Sequence, residues 1–89
     1  MVEKETVLVN KLGMHARAAT KLVQLAQKFK SKIVVMVNGM EADAKSILGL
    51  LILAAPVGTK IKIRAEGEDE KEAVEAIVKL IEDRFGEEE

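Results

Sequence analysis

Residues 59–65 read TKIKIRA, a strict alternation with Ile61, Ile63 and Ala65 on one side and Lys60, Lys62 and Arg64 on the other. In an extended chain successive side chains point to opposite faces, so this segment is a strand with one buried face and one wet face. Any sheet built around it needs apolar cover on one side only. The chain has 89 residues, which predicts a single domain over residues 1–89 with no room for a second core. A domain of this size buries roughly 60–65% of the surface its unfolded chain exposes, so that core must be well filled. Val, Ile, Leu and Ala must fill it, because Phe29 and Phe85 are the only aromatic residues.

The other elements follow from periodicity. Residues 3–9 are a strand candidate that ends in a turn at 10–13. Ala19, Leu22, Val23, Ala26 and Phe29 fall at helical spacing, which predicts an amphipathic helix over 16–29. Residues 32–37, KIVVMV, are strand-like and run into Asn38-Gly39, a strong hairpin signal, with a brief strand near 40–44. Ser46 is placed to cap a short helix from 47 to 54, closed by Pro56 and Gly58. Asp69-Glu-Lys-Glu72 reads as a capping-box variant with an acidic first turn. Val74, Ile77, Val78, Ile81 and Phe85 form the stripe of the helix it starts, and Gly86 is expected to stop that helix. The order β-α-β-β-α-β-α predicts an α+β fold: an open-faced sandwich of a four-stranded antiparallel sheet with three helices on one face.

Composition narrows the function. There is no cysteine and one histidine, which excludes disulfides and thiolate sites and leaves little from which to build a transition-metal centre. No metal and no organic cofactor are expected. The longest apolar run, residues 47–57, is too short to span a bilayer, and the opening MVEKETVLV has charges where a secretory segment would be apolar. The expectation is a soluble cytoplasmic protein that does not engage a membrane. Residues 1–65 carry eleven Lys and Arg against four Asp and Glu, whereas residues 66–89 carry three against eleven. Either the end of the chain is a solvated acidic helix and tail, or the rest presents a positive face to acidic partners or phosphate. Nucleic acid is a poor match, with no aromatic platform for stacking and an acidic tail that opposes a phosphate backbone.

Residues 47–55, ILGLLILAA, contain no polar side chain. A short helix on so small a protein cannot bury its whole circumference, so some of Ile47, Leu48, Leu51 and Ala54 should face solvent as a docking surface. The alternatives are a helix sunk more deeply or a buried strand.

Residues 12–22, LGMHARAATKL, hold the single histidine at the front of the predicted helix. With His15 as N-cap, the amides of Ala16, Arg17 and Ala18 lack intrahelical acceptors. Such an end favours anions, and the guanidinium of Arg17 matches phosphate oxygens. The same positive field favours a neutral, nucleophilic imidazole. A neutral imidazole beside an anion cradle is what a phosphoryl acceptor needs, since positioning and charge stabilisation do most of the work in phosphoryl transfer. Spacing alone leaves open an ordinary surface histidine that caps a helix. General acid–base catalysis lacks a neighbouring nucleophile or carboxylate in the sequence.

LGMHARAA resembles the active-site signature of HPr, the histidine phosphocarrier of the phosphoenolpyruvate-dependent sugar phosphotransferase system. The segment AKSILGLLILAAPVGTKIKI resembles the regulatory-serine region of that family, and the likeness covers nearly the whole chain. The resemblance implies that His15 accepts phosphate on Nδ1 from phosphorylated enzyme I and passes it to IIA domains of sugar permeases. Arg17 and the first helical amides would hold the group, and the protein would be a stoichiometric, monomeric carrier rather than an enzyme. Docking would involve Thr20, Lys21, Gln24, Ile47, Leu48 and Leu51. Ser46 would match the serine that a dedicated kinase/phosphorylase modifies, where added charge facing an acidic partner would weaken docking.

Two positions depart from the family pattern. Ala18 stands where proline is common, which costs about 0.4–1 kcal/mol of preorganisation but adds an N–H to the cradle. Gln24 and Gln27 stand where some relatives carry lysine, which bears on partner choice. The competing readings are the nitrogen-related branch of the same chemistry and a non-catalytic regulatory module that binds partners with His15 incidental.

Overall fold

The computed structural model describes residues 1–88. Four strands, β1 (Val2–Val7), β2 (Lys32–Val37), β3 (Met40–Asp43) and β4 (Lys60–Glu66), form one antiparallel sheet in the order β1-β4-β2-β3. Helices α1 (Ala16–Ala26), α2 (Ile47–Ile52) and α3 (Glu70–Glu82) cover one face. The fold is the α+β open-faced sandwich that the alternation demanded. Ile63 and Ala65 pair with both β2 and β1, Ile61 pairs with β1, and all three are buried, while Lys60, Lys62 and Arg64 lie on the uncovered face. There Arg64 Nε donates to Glu3 Oε1 on β1 at 2.8 Å.

The core lies between the sheet and the helices. Ile33, Val35 and Val37 of β2 belong to one buried cluster with Leu22 and Ala26 of α1, Leu50 of α2, and Val74, Ile77 and Ile81 of α3. The hairpin between β2 and β3 turns at Asn38 (φ 49°) and Gly39 (φ 81°), the pair of left-handed residues that a two-residue turn of this hand needs.

Three helix ends differ from expectation, the smallest difference being at α2, which stops at Ile52 rather than 54. α1 ends at Ala26 rather than 29, because the chain tightens there: the Lys28 and Phe29 amides reach back only three residues, to Leu25 and Ala26. Lys45 Nζ then donates to the Phe29 carbonyl at 2.9 Å and closes the end. α3 stops at Glu82, before Gly86, and Arg84, Phe85 and Gly86 all take positive φ. Phe85 is buried as the stripe predicted, but by a left-handed hook rather than by the helix.

Asp69 precedes α3 without capping it. Its carboxylate serves the connection between α1 and β2 instead, accepting from the Lys30 amide, the Ser31 amide and the Ser31 hydroxyl. The capping-box reading therefore fails. Glu70 takes part of that role by accepting from the Gly67 amide at 3.1 Å, and the acidic first turn is present in Glu70 and Glu72. The Ser31 hydroxyl, followed by the Lys30 and Ser31 amides, pulls the Asp69 carboxyl down to about 2. A carboxyl depressed on folding stabilises the fold above its ordinary range, near 3.8, and loses that contribution as the pH falls toward about 2. Asp69→Asn should thus unfold at lower urea than wild type at pH 7. The difference should shrink through that window, as urea midpoints measured across pH will show; a gap that stays constant would refute the linkage.

Candidate functional site

The first turn of α1 is built by local geometry. His15 is the N-cap, extended at φ −89° and ψ 179°, and its carbonyl accepts from Ala19 at 2.9 Å. Its Nδ1 faces the helix and accepts from the Arg17 amide at 3.3 Å. An accepting Nδ1 carries a lone pair and no proton, so in the neutral ring the hydrogen sits on Nε2. The expectation that His15 caps the helix holds, and Nδ1 is the nitrogen that points into its first turn.

A turn fixes this cap from behind. Gly13 (φ 66°) lies so close to the segment after α2 that a Cβ there would sit 2.4 Å from the Ala55 carbonyl oxygen and 2.9 Å from Pro56 Cα. Met14 donates to that same Ala55 oxygen at 2.9 Å. Only glycine permits both the left-handed turn and the contact. The tail of α2 is thereby joined to the loop that carries His15.

The structure adds two residues that sequence reasoning missed. Glu87 Oε2 lies 2.5 Å from His15 Nε2, across 72 positions of chain. Asn10, wholly buried, donates through Nδ2 to Gly13 O at 2.7 Å and to Glu87 Oε1 at 2.9 Å. Those two acceptors set the orientation of the Asn10 amide and leave its Oδ1 without a partner among the described residues. Burial pushes the Glu87 carboxyl up, but the hydrogen bonds from Asn10 and His15, with the nearby charge of Lys21, outweigh it and leave the carboxyl below its ordinary value. The histidine expected to face only positive field therefore has a carboxylate on its other edge. Nothing in the sequence signalled this: Asn10 read as a turn residue and Glu87 as part of a solvated acidic tail.

Arg17 is exposed and lines an open cleft of about 520 Å³ with Lys11, Leu12, Lys21, Gly86, Glu87 and Glu88. Lys21 is drawn partly away from the surface, since its Nζ donates to the Phe85 carbonyl at 2.6 Å. Thr20 is half-buried with its hydroxyl on the Ala16 carbonyl, and Gln24 is exposed.

On α2, Ile47 and Leu48 are exposed, Leu51 is half-buried and Leu50 is buried. An apolar helix does present much of its surface to solvent. Ile52 of α2 and Leu12, beside Arg17 in the cleft, are both about two-thirds exposed and were not anticipated. Ser46 caps α2 by accepting from the Gly49 amide at 3.0 Å. Among the described residues no group of His, Asp and Glu side chains could hold a metal, and no helix is long and apolar enough to cross a membrane.

The family described as the PTS HPr component phosphorylation site matches residues 2–83. The chain belongs to the PTS HPr family. It is similar to the phosphocarrier protein HPr of Cupriavidus necator, 47% identical over 98% of each chain, and to that of Xylella fastidiosa, 49% identical over the same share. A phosphocarrier protein NPr of Shewanella violacea is 41% identical over 97% of this chain and 94% of its own. Among solved structures, HPr from Thermoanaerobacter tengcongensis superposes with a TM-score of 0.96 at 46% identity, covering all of both chains. Some structural relatives are dimers, including one form of that same HPr and a domain-swapped Crh of Bacillus subtilis. The chain is thus a phosphotransferase-system phosphocarrier by family, like the relatives named as phosphocarrier proteins.

Proposed function

We propose that His15 accepts a phosphoryl group on Nδ1 from phosphorylated enzyme I and passes it to IIA domains of sugar permeases, in the cytoplasm. The observation that carries this reading is the direction of Nδ1: its lone pair lies at the start of α1, 3.3 Å from the Arg17 amide. A phosphoryl group on that nitrogen would meet the N–H groups of Ala16, Arg17 and Ala18, the positive end of the helix, and the guanidinium of Arg17. All of these groups come from one chain, which supports a monomeric carrier. No cofactor is required by this chemistry. The test is intact mass after incubation with phosphoenolpyruvate and enzyme I, followed by transfer to a sugar IIA domain and, separately, to a nitrogen-branch IIA domain. Faster discharge to the sugar acceptor supports this reading; preference for the other assigns the protein to the nitrogen-related branch, as its likeness to an NPr allows. A wild-type protein that gains no mass would leave only the regulatory module.

Docking is assigned to the surface that joins Thr20, Lys21 and Gln24 of α1 to Ile47, Leu48 and Leu51 of α2. Ser46 is assigned as a regulatory phosphosite for a kinase/phosphorylase. Its hydroxyl already faces the α2 amides, so a phosphate there adds charge at a helix start without disturbing the fold. Ser46→Asp should keep the melting temperature of wild type within a few degrees, while phosphoryl uptake from enzyme I slows by roughly tenfold or more, equivalent to about 1.4 kcal/mol of docking. Unchanged uptake would remove Ser46 from the regulatory role.

A further inference from the structure

The proposed function uses one edge of the His15 ring. The other edge has its own apparatus. Nε2 meets Glu87 Oε2, and that carboxylate is held in place from two further sides. Asn10 Nδ2 donates to its second oxygen at 2.9 Å, and Asn10 is itself wholly buried and tied to Gly13 of the turn that carries His15. The backbone arrives through the left-handed residues Arg84, Phe85 and Gly86, anchored by the buried Phe85 ring and by Lys21 Nζ on the Phe85 carbonyl. The Glu87 side chain is only 13% exposed, so the pair is not one of the freely solvated ion pairs that contribute little.

We propose that Glu87 is a positioning residue for phosphoryl transfer: it holds the proton on Nε2 of His15, so that Nδ1 keeps its lone pair for the incoming phosphorus and the ring departs as neutral imidazole when the group is passed on. This rests on the reading of His15 as the acceptor.

During uptake from a phosphohistidine donor, the Nδ1 lone pair forms the new N–P bond. The donor's N–P bond breaks, and its electron pair stays with the donor nitrogen. The His15 ring keeps its Nε2 proton and acquires a formal positive charge, next to which the Glu87 carboxylate already lies. In the forward transfer the pair of the N–P bond returns to Nδ1 as the phosphoryl group moves to the acceptor's nucleophile. With the proton on Nε2, what leaves is neutral imidazole; without it, the leaving group would be an imidazolate anion, which is far poorer. A buried carboxylate that fixes a histidine tautomer and steadies the imidazolium plays the same part in hydrolase triads. The other charged groups of the cleft are Lys11, Arg17, Lys21 and Glu88, and Glu87 is the one that bonds to the ring. Its depressed carboxyl, held down by Asn10, His15 and Lys21 against burial, keeps it ionised at neutral pH.

The test compares wild type with Glu87→Gln, which preserves the size and an acceptor oxygen and removes the charge. Both are phosphorylated with enzyme I and phosphoenolpyruvate, freed of donor, and followed by 31P NMR as the phosphohistidine decays across a pH series. Protonated phosphohistidine is the labile form, so the pH at which decay slows reports the Nε2 proton. Its midpoint should fall by roughly one pH unit or more in Glu87→Gln, the size of shift that removal of a close opposite charge brings. Uptake from enzyme I should also slow, most at the highest pH. An unchanged midpoint, or an uptake rate lowered equally at every pH, would overturn the role of Glu87 and leave His15 as acceptor untouched. Failure of wild type to gain any phosphoryl group would overturn the acceptor reading and this inference together.

Discussion

His15→Ala is expected to take up no phosphoryl group from phosphorylated enzyme I under conditions in which wild type takes up one, as intact mass will show. His15 is half-buried and Ala19 still has the backbone carbonyl of residue 15 as its acceptor, so the variant should fold. What disappears is the only imidazole in the chain and with it the Nδ1 lone pair at the helix start. Arg17→Ala separates acceptor from stabiliser. It keeps Nδ1 and the amide of residue 17 but removes the guanidinium from the mouth of the cleft. Loss of one preorganised group that stabilises transition-state charge typically slows a reaction by about 10²–10³-fold, so stoichiometric uptake should survive at a rate reduced by that order. A phosphoryl group retained in His15→Ala would place the acceptor elsewhere, and an Arg17→Ala rate equal to wild type would confine phosphate binding to the amides.

The second large effect lies outside the cradle. Phe85 is 1% exposed and is one of two aromatic residues in the chain. Truncating a buried phenylalanine to alanine costs about 3–5 kcal/mol. Small domains are stable by only about 5–15 kcal/mol in all. Phe85→Ala should therefore lower the melting temperature by roughly 12–40 °C, given about 4–8 °C per kcal/mol in a domain of this size. Burial of the ring is also what holds Arg84 and Phe85 in left-handed backbone, which costs non-glycine residues about 1–2 kcal/mol each. With the anchor gone, the hook has no reason to persist, and Glu87 loses its approach to His15. The variant should then show the decay profile of Glu87→Gln in whatever fraction remains folded at low temperature. A melting temperature within a few degrees of wild type would show that the hook is not anchored by its phenylalanine.

The residues that misled are as informative as those that did not. Asp69 stood at the right spacing for a capping box, yet its carboxylate serves Lys30 and Ser31, which come close only because the α1–β2 connection packs against the start of α3. Gly86 looked like a helix stop, and the helix had already ended four residues earlier because the chain must turn back to bury Phe85. In both cases a local preference was overridden by a contact across the fold. Ser46 and His15 were read correctly because a cap is satisfied within three residues of itself, by the Gly49 and Arg17 amides.

The sequence by itself determined what repeats at short range: the one-sided sheet from the alternation in residues 59–65, the hairpin at Asn38-Gly39, the buried stripes of α1 and α3, and the helix start capped by His15. Each of these depends on neighbours within a turn or a strand pair, where side-chain period and cap chemistry leave few choices. Only the tertiary structure decided that Glu87 and Asn10 complete the other edge of the histidine. That arrangement depends on a hook whose backbone is unfavourable locally and persists because a buried ring and a lysine on its carbonyl hold it, and contacts over 72 residues leave no periodic trace in the chain.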